Sequence, residues 1–303
     1  MIRTVLGDIE PARLGMTLAH EHFIIDLDRV RKDGVSRIDT PEEVIPEIRL
    51  MMADGIQSAF EVSTIDLGRD VEKLRTISQA TGLHIVASTG YYLSPFHPAI
   101  LADQGPEEIA DTYEKELLEG IGDTGIKAGF IAEIASSPEA FVGQEKKILV
   151  AAGMAAKRTG AAVSTHTGRV NAKETIETLL DQGMDPDKVI IGHQDLIDDH
   201  DYHLSLLKRG VNIAFDTCGK SAYMPDETRA RNILSLIRTG YGDHLVLSND
   251  VSRRSYFTSA GGPGYVAVMR IVVPLLREYG ATQEEIQKLL VDNPARIVNN
   301  DWR

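Results

Sequence analysis

Along the chain, short runs rich in β-branched residues alternate with longer runs whose apolar positions recur every three or four residues, the respective signatures of strands and amphipathic helices. Eight strand-like runs stand out: MTLAHEHFIID (16–26), SAFEVST (58–64), HIVASTG (84–90), AGFIAEIAS (128–136), AAVSTHT (161–167), KVIIGHQ (188–194), NIAFDTC (212–218) and HLVLSND (244–250). Helical spacing fills the intervals at 40–55, 69–82, 106–120, 144–160, 171–183, 200–210, 226–240 and 264–280. Several of these segments open on Asp, Asn, Thr-Pro or Pro-Glu-Glu and close on Gly, as helix caps should. Strand and helix in alternation predict a parallel sheet. Eight units in 303 residues predict an α/β fold of the (β/α)8 TIM barrel type rather than an open doubly wound sheet. No GxGxxG follows the first strand, which argues against a dinucleotide fold. No Pro/Gly/Ser-rich linker interrupts the pattern, so residues 1–303 read as a single barrel domain.

Composition narrows the partners. A balance of 43% hydrophobic and 25% charged residues is that of an ordinary globular protein, and the formal net charge of -13 disfavours nucleic acid and anionic membranes. Cys218 is the only cysteine, so no intrachain disulfide can form. The first residues, MIRTVLGDIEPARLG, lack the apolar core of a signal peptide, and no apolar run of about 18 residues occurs. A cytoplasmic protein acting on a small molecule is the expectation.

The chemistry sits in the polar residues at the strand ends. In TLAHEHFIIDL, side chains on a strand alternate faces, so His20 and His22 point one way and Glu21 the other. Active sites of such barrels lie at the C-terminal ends of the strands. There the first strand supplies His20 and His22, the fourth Glu133, the fifth His166, the sixth His193 and the eighth Asp250. Taken singly, His166 could cap a loop and His193 could orient a backbone carbonyl. Together, four imidazoles and two carboxylates exceed what one tetrahedral zinc requires and suit two metals sharing a carboxylate and a hydroxide. Cys218 has no histidine at a spacing that would activate it and reads as a small buried filler. GGPG (261–264) reads as a turn opening a helix, and His200, His203 and His244 as solvated or structural.

The motifs HEH (20–22), VSTIDLGRD (62–70), STHTG (164–168), IGHQD (191–195) and LSND (247–250) resemble, in this order and over essentially the whole chain, the phosphotriesterase family of the amidohydrolase superfamily. The resemblance implies a binuclear metal centre, usually zinc with manganese or cobalt as alternatives, that activates hydroxide against phosphoesters, lactones, carboxylic esters or some amides. It implies His20, His22 and Asp250 on a buried metal and His166 and His193 on a more exposed one. Many members bridge the metals with a carboxylated lysine on the fourth strand, but here Ala132 stands at that place and Glu133 follows it. The phosphotriesterase homology subgroup resembles this chain there, with a glutamate as bridge, and again at DTCGKSAYMPDETR and DVSRRSYF. A one-residue displacement on a strand reverses the face, so Glu133 can bridge only across a bulge or register shift. Asp250 is expected to pass a proton from the attacking water to the leaving group.

For the substrate, Tyr91 and Tyr92 follow the third strand, Lys220 the seventh, and Arg253 and Arg254 the eighth. Of these, Tyr92, Lys220, Arg253 and Arg254 are expected to bind it. Cations over the mouth predict an anionic ester, lactone or N-acyl amino acid, although neighbouring arginines could equally pair with the chain's own acids. Phosphotriester hydrolysis is the enzymatic alternative, and a small-ligand binding protein with structural metals is the alternative from another class. NPAR near the C-terminus resembles the family's closing helix, and a homodimer is a family expectation.

Overall fold

In the computed structural model, which describes residues 1–302, eight strands stand in parallel: β1 (Thr17–Glu21), β2 (Ser58–Glu61), β3 (His84–Thr89), β4 (Phe130–Ala135), β5 (Val163–His166), β6 (Val189–Ile191), β7 (Asn212–Phe215) and β8 (Leu245–Leu247). They pair in chain order from β1 to β8, every ladder parallel. Helices α1 (Pro41–Ala53), α2 (Val71–Thr81), α3 (Pro106–Leu118), α4 (Glu145–Thr159), α5 (Ala172–Asp181), α6 (His200–Leu207) and α7 (Asp226–Leu236) fill the crossovers, and α8 (Val273–Glu278) follows β8. The sheet is a nearly closed (β/α)8 barrel. Capping follows the sequence signals: the Asp70 side chain accepts from the Lys73 amide to start α2, and the chain leaves that helix through Gly82 at φ 83°.

Strand alternation sorts the apolar side chains into two cores. Ala19, Phe60, Val86, Phe130, Ile190, Ala214 and Val246 fill the barrel lumen, while Leu18, Ala59, Ile85, Ile131, Ile191, Ile213 and Leu247 pack outward against the helices. The foot of the lumen is sealed by Ile2 and Ile9 of an N-terminal hairpin (Ile2–Thr4 with Gly7–Ile9) and by Ile297 and Val298 of the helix Asn293–Val298. The closing helix is announced by NPAR, whereas the hairpin has no comparable signal in the pattern.

The strands are shorter than the runs that announced them. β1 stops at Glu21, β6 at Ile191 and β8 at Leu247, so His22, His193 and Asp250 lie in the connections just beyond. His193 and Asp250 adopt left-handed backbone conformations, with φ of 58° and 49°. No backbone ladder joins β8 to β1 among the described residues. The seam is held instead by the His20 amide donating to Ser248 Oγ at 2.9 Å and the Asp250 amide to the His20 carbonyl at 3.3 Å.

Candidate metal centre

The position of Glu133 follows from a slip in β4. Ile131 pairs with Val163, but the next paired residue is Ile134, with Thr165. Three residues on β4 thus span two on β5, the count of a β-bulge. Phe130 and Ala132 belong to the lumen core, whereas Ile131 and Ile134, three residues apart, both belong to the outer one. The extra residue turns Glu133 inward, to the face that strict alternation would have denied it.

At the mouth, Glu133 is central. Its Oε1 lies 2.8 Å from His166 Nδ1, 3.2 Å from His193 Nε2 and 3.4 Å from His20 Nε2, and its Oε2 is 3.8 Å from His22 Nε2. Two donor sets close enough to hold a cation result, His20, His22 and Glu133 in one and Glu133, His166 and His193 in the other, and the carboxylate belongs to both. Asp250 stands at the edge, with Oδ1 3.4 Å from His22 Nε2 and 4.0 Å from His20 Nε2, while its Oδ2 takes an ion pair from Lys220.

The groups behind the imidazoles, which sequence reasoning missed, decide which nitrogen each one offers. Asp216 accepts from the His193 amide at 3.0 Å and from His193 Nδ1 at 2.9 Å, and lies 3.2 Å from His20 Nδ1. Behind His22, Nδ1 sits 2.9 Å from Ser63 Oγ, which donates to Glu61 at 2.6 Å. These contacts leave Nε2 of His20, His22 and His193 facing Glu133, and His166 facing it through Nδ1. His166 Nδ1 and His193 Nε2 are 2.7 Å apart. Lone pairs converging this closely on a buried carboxylate fit a divalent cation, with the outer partners holding each ring in the required tautomer. A third cluster, His20, His193 and Asp216, uses the rear nitrogens and reads as this support.

Electrostatics in the metal-free cluster agree with that fit. Burial opposes charge on His193 and His20, yet the His193 imidazole lies well above its ordinary value because Asp216 and Glu133 face it, and His20 is raised by the same two carboxylates, whereas burial and His193 lower His166. Burial would raise Glu133, but His20 and His166 bring it well below the usual carboxylate range. Asp250 is likewise held low against burial by Lys220, His22 and His193. Positive charge is thus favoured on His20 and His193, facing carboxylates that a cation would otherwise neutralise.

Above the cluster opens a cavity of about 330 Å³. His166, His193 and Asp250 floor it, Leu196, Ile197, Tyr223 and Tyr256 give apolar wall, and Arg31 and Arg253 bring positive charge, while the lining Arg169 is paired with Asp199 and Lys220 with Asp250. Tyr92 is set deeper, its hydroxyl 3.3 Å from His166 Nδ1. Arg253 stacks on Tyr256 and its buried Nε has no hydrogen-bond partner. Arg254, grouped with Arg253 in the sequence, is instead held by Glu43 and Asp39 and does not line the cavity, so the reading that places it over the substrate gives way to pairing within the chain. Arg31, in a short helical turn after β1, lines the cavity without having been singled out. Cys218 is fully buried, and GGPG forms a turn in which a Cβ on Gly264 would collide with Thr258. His203 is buried, its Nε2 2.9 Å from the Gln194 carbonyl, which is a structural role.

The profile of the phosphotriesterase family matches residues 1–298. The phosphotriesterase homology protein of Escherichia coli (strain K12) is 34% identical over 284 residues, covering 93% of this chain and 97% of that protein. Its crystal structure, solved with phosphate in the active site, superposes with a TM-score of 0.92 over 96% of this chain and 100% of that one. N-acetyltaurine hydrolase of Dictyostelium discoideum is 34% identical over 86% of this chain and 74% of its own length. The structure of a lactonase from Listeria monocytogenes superposes with a TM-score of 0.93 at 27% identity, over 99% of both chains.

Proposed function

This chain belongs to the phosphotriesterase family, and from that premise we propose that it is a hydrolase with two divalent cations, zinc by preference, that cleaves a carboxylic ester, lactone or acyl-amide bond of an anionic small molecule. The observation that carries this reading is the sharing of Glu133 between two imidazole pairs beneath a cavity that Arg31 and Arg253 line. His20, His22 and Asp250 would hold one cation, His166 and His193 the other, and Glu133 both. Bound there, the cations supply Lewis acidity that polarises the scissile oxygen and brings water ionisation near neutral pH.

The chain's own groups do the rest. Asp250 takes the proton of the attacking water and delivers it to the leaving group. Tyr92 stays protonated, since burial and then Glu133 and Asp250 push its pKa far up, so its hydroxyl serves as a donor to a substrate oxygen. Arg253 and Arg31 pair with the anionic group, and Lys220 covers Asp250 until substrate arrives. That relatives include an N-acetyltaurine hydrolase and a lactonase supports acyl transfer to water as the reaction class.

Proton release from N-acyl amino acids, N-acyl sulfonates, lactones, carboxylic esters and phosphotriesters, each in anionic and neutral form where both exist, tests the proposal. Chelator-sensitive turnover of an anionic acyl compound is expected. Phosphotriesters turned over faster than every acyl compound, or preference for neutral members throughout, would contradict it.

A further inference from the structure

Glu21, between the two histidines of HEH, faces away from the cation cluster and is fully buried. Among the described residues no lysine, arginine or histidine pairs with it, although a buried carboxylate without a counter-charge is costly unless hydrogen bonds replace its water. Those bonds all come from the turn after β8. Glu21 Oε1 accepts from Ser248 Oγ at 2.8 Å, from the Asn249 amide at 2.8 Å and from Asn249 Nδ2 at 2.9 Å, and Oε2 accepts from the Val251 amide at 3.0 Å. The two amides that flank Asp250 are therefore both given to one carboxylate. Asp250 between them has φ of 49°, in the left-handed region that is uncommon outside glycine.

The same contacts bridge the one junction of the barrel that lacks a backbone ladder. Ser248 Oγ accepts from the His20 amide while donating to Glu21. Asn249 extends the connection, its Nδ2 donating to the Tyr265 carbonyl and its Oδ1 accepting from the Val268 amide, and the Tyr265 hydroxyl returns to the His22 carbonyl at 2.6 Å. We infer that Glu21 is a positioning residue, a buried clasp that fastens the end of the last barrel strand to the first and so sets Asp250 against His20 and His22. A shorter or neutral side chain cannot do the same: aspartate falls short by one methylene, and glutamine turns an N–H toward a donor.

The inference rests on the proposed metal centre for its consequence, the selective weakening of one cation. The test titrates zinc into chelator-stripped wild type, Glu21→Gln, Asp250→Asn and the double variant, with competition against a chromophoric chelator and thermal unfolding of each metal-free form. In Glu21→Gln the affinity of one zinc should fall about 10- to 100-fold, the range for loss of an outer partner, with the other zinc unchanged. In the Asp250→Asn background Glu21→Gln should add less than 3-fold, because the clasp acts through Asp250. A variant that only unfolds more readily while both zinc affinities hold, or effects that multiply fully in the double variant, would overturn the role. Amide exchange in the wild type needs no variant: Asn249 and Val251 should be as protected as core strands, and exchange at loop rates would refute the clasp. Wild type that binds no zinc pair but shows this protection would fault the metal reading instead.

Discussion

If the centre holds the two cations proposed, replacing Asp216 by asparagine should weaken both at once while leaving the cavity intact. Asp216 is buried and reaches one imidazole of each donor set, Nδ1 of His193 at 2.9 Å and Nδ1 of His20 at 3.2 Å. Asparagine keeps the shape and one acceptor oxygen but removes the charge that makes those rings better ligands. Loss of such an outer partner costs about 10- to 100-fold in affinity, or about 1.4 to 2.7 kcal/mol at each site. A second consequence has a fixed sign. In the metal-free protein burial opposes charge on His193, but Asp216 and Glu133 raise its pKa well above the ordinary value. That stabilisation is full below the unfolded value of about 6.5 and is lost as pH rises through the folded one. Metal-free wild type should therefore lose stability as pH increases above about 6.5, and the variant should show a shallower slope. Chelator competition for the affinities and thermal unfolding between pH 6 and 9 for the slope decide it. Unchanged affinities, or a loss confined to one cation, would refute the account of Asp216 as support for both histidines.

Three further outcomes are expected. Arg253→Met should raise KM for anionic substrates about 10- to 100-fold, the worth of a charge-assisted contact, whereas Arg254→Met should leave KM within about 2-fold and cost at most about 1 kcal/mol, because its partners Glu43 and Asp39 are partly exposed; steady-state kinetics on both variants check this. Asp250→Asn should lower kcat about 10²- to 10⁴-fold while elemental analysis still finds the cation of the His166 and His193 set, and a rate loss that only tracks total metal loss would reduce Asp250 to a ligand. Arg229 is fully buried between Asp195 and Asp226, at 2.6 and 2.8 Å, so Arg229→Met strands buried carboxylates and should destabilise the fold by about 3 to 5 kcal/mol, read from denaturant unfolding.

What the sequence disclosed divides along the range of the interactions. The eight strands, the helices between them and the histidine- and acid-bearing ends were legible because β-branched runs, period-3.6 patterns and cap residues are local. The inward turn of Glu133 was legible only as a requirement: a bulge was needed, but it is a pairing between β4 and β5 and leaves no trace within AGFIAEIAS itself. Asp216, Ser63 and Glu61 were missed because an outer partner has no spacing rule, and the one available signal was the acid within NIAFDTC, just past the end of β7. Arg253 and Arg254 are neighbours of one residue type, and only the three-dimensional placement of Glu43 and Asp39 separates the cavity arginine from the paired one. Glu21 was recognised as turned away from the cluster, but its partners lie more than two hundred residues along the chain.

The most direct test of the central claim is a cation titration of chelator-stripped protein, with turnover of the best acyl substrate and bound metal by elemental analysis followed together. Negligible turnover without metal, recovery as zinc is added and a plateau at two equivalents are expected. Full turnover by protein in which no metal is found would contradict that claim.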